Sequence, residues 1–108
     1  DADQCAQALA NGMEVVRGLP GNALLLGEMG IGNTSCASLL LARLANIDVA
    51  SVSGMGTGLD AEGVRRKVEV LRAVLDLHAG VTEPLAVLAA MGGLEVATWP
   101  SPTTRAST

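Results

Sequence analysis

Apolar residues recur at spacings of three and four through Cys5, Ala6, Leu9, Ala10, Met13 and Val16. That period places them on one face of a helix. The helix is predicted over residues 3–17, with Gly18 and then Leu19-Pro20-Gly21 stopping it. The next run, Asn22 to Leu26, is apolar and does not alternate. It reads as a short buried parallel strand covered on both faces, although length alone leaves another buried form open. A second helical pattern runs from Thr34 to about Leu44, with Asn33 or Thr34 as its cap. Its Cys36, Leu39, Leu40 and Leu44 are interspersed with small Ala and Ser, which let a helix lie close to a neighbour. Residues 46–52 fit either a second short strand or a loop.

Asp60 is a natural N-cap for a long helix reaching about His78. Val64, Val68, Leu71 and Leu75 mark its buried stripe, widened by Val70, Val74 and Leu77. Glu62 and Arg66 stand in the favourable i, i+4 order, and Arg65, Glu69, Arg72 and Asp76 read as a solvated face. Gly80 ends this helix. Thr82 then caps another, with Pro84 in its first turn and Leu85, Leu88, Ala89 and Met91 as its apolar side. Gly92-Gly93 breaks it, and residues 94–97 begin one more. Residues 99–108 are rich in Pro, Ser and Thr without periodicity, and are expected to form a disordered tail after a domain at 1–98.

The chain has 108 residues, 49% of them hydrophobic, enough for a core. With one Trp and no Phe or Tyr, that core must be aliphatic. Net charge is −4. Nucleic-acid binding leans on basic phosphate contacts and stacking rings, so nucleic acid is not an expected partner. No apolar stretch nears the ~20 residues of a membrane span, and no basic-then-apolar signal opens the chain. The first residue, Asp1, is expected to be a cut or processed start. Cys5 and Cys36 lack the spacing of a metal motif, and read as buried free thiols of a cytoplasmic protein. His78, near a helix end, reads as a capping cation rather than a catalytic group.

The chemistry concentrates between strand and helix, at Gly27-Glu28-Met29-Gly30-Ile31-Gly32-Asn33-Thr34. Closely spaced glycines let backbone approach a ligand. The helix that follows offers unpaired N–H groups and the positive end of its dipole, a ready phosphate site. The pattern is neither G-x-G-x-x-G nor a Walker A loop. A carboxylate at Glu28 would repel a phosphate, so it makes chemical sense facing a ribose hydroxyl or an azole N–H; the alternative is a strand-end charge turned to water. A second glycine loop, Ser53-Gly54-Met55-Gly56-Thr57-Gly58, precedes the Asp60 cap. Lys67 shares a helix face with Asp60 and Val64. Helical side chains lean toward the N-terminus, so Lys67 either reaches back to an anion near the loop or snorkels at the edge of the core.

Gly27 to Thr34 resembles the signature of the nicotinate-nucleotide–dimethylbenzimidazole phosphoribosyltransferases. Gly56-Thr57-Gly58-Leu59-Asp60, Lys67, and Pro84-Leu85 through Gly92-Gly93-Leu94-Glu95 resemble later segments of that family, in order and at similar spacing. The resemblance spans roughly residues 4–98. It implies an α/β fold, with this piece a mostly helical fragment of a Rossmann-like parallel-sheet domain, and a homodimer. It implies transfer of phosphoribose from nicotinate mononucleotide to 5,6-dimethylbenzimidazole in cobalamin nucleotide-loop assembly, with no metal or organic cofactor. By the same resemblance Gly30, Gly32, Asn33 and Thr34 lie beside the nucleotide. Gly56, Thr57, Gly58 and Lys67 hold phosphate, and Glu28 is a supporting catalytic carboxylate.

Three departures qualify what is expected. The family's chains are much longer than this one. Its catalytic base is a glutamate in a C-terminal glycine-rich segment, and nothing after Glu95 here matches it. The segment from Thr98 departs from the family's helix of small apolar residues, and Met55 stands where relatives often carry a larger polar residue. The isolated chain is therefore expected to be inactive. A non-catalytic nucleotide-monophosphate-binding module and a remnant unable to fold alone stay open as alternatives.

Overall fold

The computed structural model of the chain describes residues 1–54 and 58–99. Among the described residues six helices follow one another: α1 (Ala2–Gly18), α2 (Asn33–Ala45), α3 (Val49–Val52), α4 (Ala61–Leu77), α5 (Pro84–Met91) and α6 (Leu94–Ala97). The long helices stop and start where local chemistry dictates. Asp1 caps α1 by accepting from the Gln4 amide at 2.9 Å. Asp60 caps α4 by accepting from the Gly63 amide at 2.8 Å. Pro84 opens α5, where its missing N–H costs nothing. Its cap is Glu83, accepting from the Ala86 amide at 3.0 Å, not the expected Thr82. Residues 46–52, open between strand and loop, include the short helix α3 capped by Asp48.

Two apolar clusters hold the helices. The larger buries Leu39 and Ala42 of α2, Val49 of α3, Val68 and Leu71 of α4, and Val87 and Met91 of α5. The smaller joins Cys5 and Ala8 of α1 to Ala97 of α6, with Leu88 and Ala89 of α5 packed on it. Helix α5 thus lies between the clusters and is apolar on more than one side, as a helix buried from two directions must be. Val87, which falls off the expected stripe of α5, is its most deeply buried residue, while Leu85 on that stripe is exposed. On α4 the expected core of Val64, Val68, Leu71 and Leu75 faces inward, but Val70 and Leu77 face solvent.

On α1 the buried face is Cys5, Ala8, Gly12 and Val16. Ala6 and Ala10, expected inside, are exposed. The face is chosen by close approach. A Cβ at Gly12 would stand 1.7 Å from the Thr98 carbonyl oxygen, so α1 and the end of α6 meet where only glycine fits.

The expected buried strand at Asn22–Leu26 does not form. The segment is not assigned to a strand, and Leu24, Leu25 and Leu26 are exposed, Leu25 at 97%. A strand is completed by hydrogen bonds to a neighbour, and among the described residues no second strand lies beside this one. What the chain shows is mostly helical architecture. The expected tail, residues 99–108, lies outside the described residues apart from Trp99. No described helix is long and apolar enough to cross a membrane.

Candidate functional site

The first glycine loop delivers the chain to α2 through Gly32. This residue is the N-cap at φ +86°, and no side chain caps the helix here. A left-handed backbone costs an ordinary L-residue roughly 1–2 kcal/mol, so glycine is what permits the sharp turn into the helix. The expectation that Asn33 or Thr34 caps α2 is therefore corrected. Both lie inside the first turn, where their side chains are free for other partners. Asn33 donates from Nδ2 to Glu28 Oε2. Thr34 accepts at Oγ1 from Lys67 Nζ at 3.0 Å.

Four of the sequence-predicted residues thus meet at the first turn of α2: Glu28 bonds to Asn33, and Lys67 to the neighbouring Thr34. Glu28 is exposed, and its carboxylate accepts from Asn33 in the first turn of α2. Gly30 lies under that brace, where a Cβ would stand 3.3 Å from Asn33 Nδ2. The Lys67 ammonium ends on Thr34 in the first turn of α2, and the residue lines a groove together with Leu39, Leu71 and Val74. Gly58, at φ +85°, leads to the Asp60 cap of α4. Met55, Gly56 and Thr57 lie outside the described residues.

Two features of this corner would attract an anion, against the Glu28 carboxylate that Asn33 holds there. The first amides of a helix lack intrahelical acceptors and carry the positive end of the dipole. At α1, α3, α4 and α5 an acidic side chain fills that end, but α2 has none at its cap. Lys67 adds a positive charge. One turn further, the Cys36 thiol is pushed up chiefly by burial, and also by the charge of Glu95.

Thr34 and Lys67 each line a groove. One, of about 530 Å³, has Glu28, Asn33 and Thr34 at its polar end and Leu40, Leu41, Leu44, Val96 and Trp99 along its apolar wall. The other, of about 490 Å³, runs between Ser35 and Leu39 of α2 and Gly63, Arg66 and Lys67 of α4. A cation and unfilled amides therefore sit beside an apolar slot with a carboxylate at its mouth. Such a corner is suited to a small ligand with an anionic end and a flat apolar end. Among the described residues no group of three or more His, Cys, Asp or Glu side chains is arranged to hold a metal.

Two residues that shape this corner escaped the sequence reading. Ser38 is buried, and its hydroxyl lies 2.8 Å from the Thr34 carbonyl and 3.1 Å from that of Val52. Arg43 reaches from the far end of α2 to the end of α4. Its Nη2 donates to the Leu75 carbonyl at 2.7 Å, and its Nη1 lies 3.0–3.2 Å from those of His78, Ala79 and Val81. Neither residue has a local signal, because each acts on a segment distant in sequence.

A family model described as phosphoribosyltransferase matches residues 1–106. The chain belongs to the phosphoribosyltransferase family. Curated relatives agree. A nicotinate-nucleotide–dimethylbenzimidazole phosphoribosyltransferase from Variovorax paradoxus is 70% identical over 97 residues, covering 90% of this chain and 28% of the relative. Proteins of the same name from a Janthinobacterium species and from Photobacterium profundum are 41% and 45% identical. Those two alignments cover 89% and 82% of this chain, and 29% and 26% of the relatives. The chain thus spans under a third of the length of these phosphoribosyltransferases. No solved structure matches it.

Proposed function

We propose that this chain is the part of a phosphoribosyltransferase that grips the sugar phosphate while phosphoribose passes from nicotinate mononucleotide to 5,6-dimethylbenzimidazole. The products are nicotinate and α-ribazole 5′-phosphate, and the step belongs to assembly of the cobalamin nucleotide loop in the cytoplasm. One observation carries the reading: Lys67 Nζ meets Thr34 Oγ1 at 3.0 Å, so the cation of α4 stands over the uncapped start of α2. A phosphate there would take charge-assisted hydrogen bonds from Lys67 and from the amides at Asn33 and Thr34. Gly30 and Gly32 keep the first loop close to the ligand, and Gly56, Thr57 and Gly58 serve the same phosphate from the second loop.

In the reaction the azole nitrogen bonds to the anomeric carbon as the bond to nicotinate breaks, and the azole gives up its N–H proton. Positive charge builds on the ribose as the bonds exchange. Glu28 supplies a carboxylate beside that charge, while the proton goes to a base outside these 108 residues. The apolar groove beyond Glu28 suits the flat azole. The reading needs no metal or organic cofactor. It includes a Rossmann-like parallel sheet, in which Asn22–Leu26 finds its neighbours, and a homodimer. The 108 residues alone do not turn over.

The test is calorimetry on a full-length protein carrying this segment. Lys67→Ala should weaken nicotinate mononucleotide much more than dimethylbenzimidazole, and equal losses remove Lys67 from the phosphate role. Chromatographic detection of α-ribazole phosphate from the isolated chain would overturn its inactivity. A second reading, a phosphate-holding module without chemistry, is favoured by the engagement of the Glu28 carboxylate with Asn33. Glu28→Gln separates the two. Lost turnover with unchanged nucleotide binding sinks the module, and unchanged turnover sinks the catalytic role of Glu28.

A further inference from the structure

Helices α2 and α4 are joined at both ends. Thr34 and Lys67 meet near their starts, and Arg43 of α2 holds the carbonyls of Leu75, His78, Ala79 and Val81 where α4 finishes. Start pairs with start and end with end, so the helices run in the same direction. Between the pins, Leu39 and Ala42 pack with Val68 and Leu71. An aliphatic seam of this kind resists separation but only weakly opposes sliding, because hydrophobic attraction has no direction. Directional bonds must set the register, and the guanidinium makes one contact with Leu75 in the last turn of α4 and three with the cap and turn that follow it, at His78, Ala79 and Val81.

We propose that Arg43 is a positioning residue for phosphate binding, setting the register of α4 along α2 and through it the place of Lys67. The proposal rests on the reading of Lys67 as the phosphate cation. The geometry gives it leverage. A register error of one residue moves a side chain about 1.5 Å along the axis and turns it by about 100°. Either displacement takes Nζ away from Thr34 and from the amides beneath. Arg43 lies nine residues after Thr34, so about 13 Å of helix separates the two pins. It acts on the nucleotide only through α4. A lysine is a poor substitute, because a single ammonium lacks the planar fork that spans several carbonyls.

The experiment is a double-mutant cycle in a full-length phosphoribosyltransferase carrying this segment, reading KM for nicotinate mononucleotide and for the azole. Arg43→Ala should raise the nucleotide KM about tenfold and leave the azole KM within about twofold, the size of coupling seen between residues joined through shared structure. In a Lys67→Ala background the same substitution should change the nucleotide KM by no more than about twofold, because its effect passes through the missing lysine. A merely structural arginine would raise both KM values together, or add its full effect in both backgrounds, and either result overturns the proposal. If Lys67→Ala alone leaves the nucleotide KM unchanged, the phosphate reading itself falls and this inference with it. A working Lys67 with additive Arg43 removes the inference alone. Should Arg43→Ala fail to fold, Arg43→Lys carries the same cycle, with a rise of about threefold as the supporting result and none as the refuting one.

Discussion

Ser38 reaches out of α2 to the carbonyl of Val52, 3.1 Å away, and so ties the start of that helix to the backbone just before the second glycine loop. The hydroxyl has one proton, shared between this carbonyl and that of Thr34 at 2.8 Å. In a buried position a carbonyl that loses its donor pays for desolvation without return. Ser38→Ala should therefore destabilise the chain by about 1–2 kcal/mol. Urea denaturation followed by circular dichroism reads the loss. An unchanged midpoint would mean that water or another donor already serves Val52.

Gly12→Ala sets two effects against each other. Alanine in a helix interior gains about 1 kcal/mol over glycine. The added methyl, however, would stand 1.7 Å from the Thr98 carbonyl oxygen. Backbone cannot rotate away as a side chain can, so α1 must lift from α6. Overpacking of this severity belongs at the upper end of its range, about 3 kcal/mol, and the clash wins. The expected result is a lower denaturation midpoint together with faster amide exchange in α1. A stabilised variant would show that α1 does not pack closely on α6.

What the sequence disclosed was local. The periods of α1, α2 and α4 and the Asp60 cap were legible, because each depends on residues within a few positions. That Lys67 ends on Thr34 was not legible, because the two are distant in sequence. Gly12, Ser38, Arg43 and Val87 matter because of what arrives from elsewhere in the chain, and spacing carries no trace of that. The caps were misplaced at α2, where Gly32 stands in place of the expected Asn33 or Thr34, and at α5, where Glu83 stands in place of Thr82. Asn22–Leu26 has a strand's composition, yet composition does not supply the neighbour a strand needs.

Leu25, Met29 and Ile31 are almost fully exposed, at 97%, 99% and 106%. Large apolar side chains this exposed within one short segment are candidates for a contact surface. Sedimentation of the isolated chain should show concentration-dependent association, and the pair Leu25→Glu and Ile31→Glu should abolish it without loss of helicity. Neither residue belongs to either apolar cluster, so the core is left intact. A chain that stays monomeric at every concentration would remove the segment as a contact surface.

Cys36 gives the fold a defined alkaline response. Burial, and after it the charge of Glu95, pushes the thiol above its ordinary value of 9.0. The unfolded chain therefore releases this proton at lower pH than the folded one. Below pH 9.0 the thiol is protonated in both states and its contribution to stability is complete. As pH rises past that value the unfolded state gains, and the contribution is lost progressively until the folded thiol also titrates. Denaturant midpoints measured at increasing alkaline pH should fall, and Cys36→Ala should flatten that part of the profile. In the folded chain the thiol should also react with iodoacetamide more slowly at mildly alkaline pH than it does in urea, because the thiolate is the nucleophile. Profiles of equal slope with and without Cys36 would show that its burial has no bearing on alkaline stability.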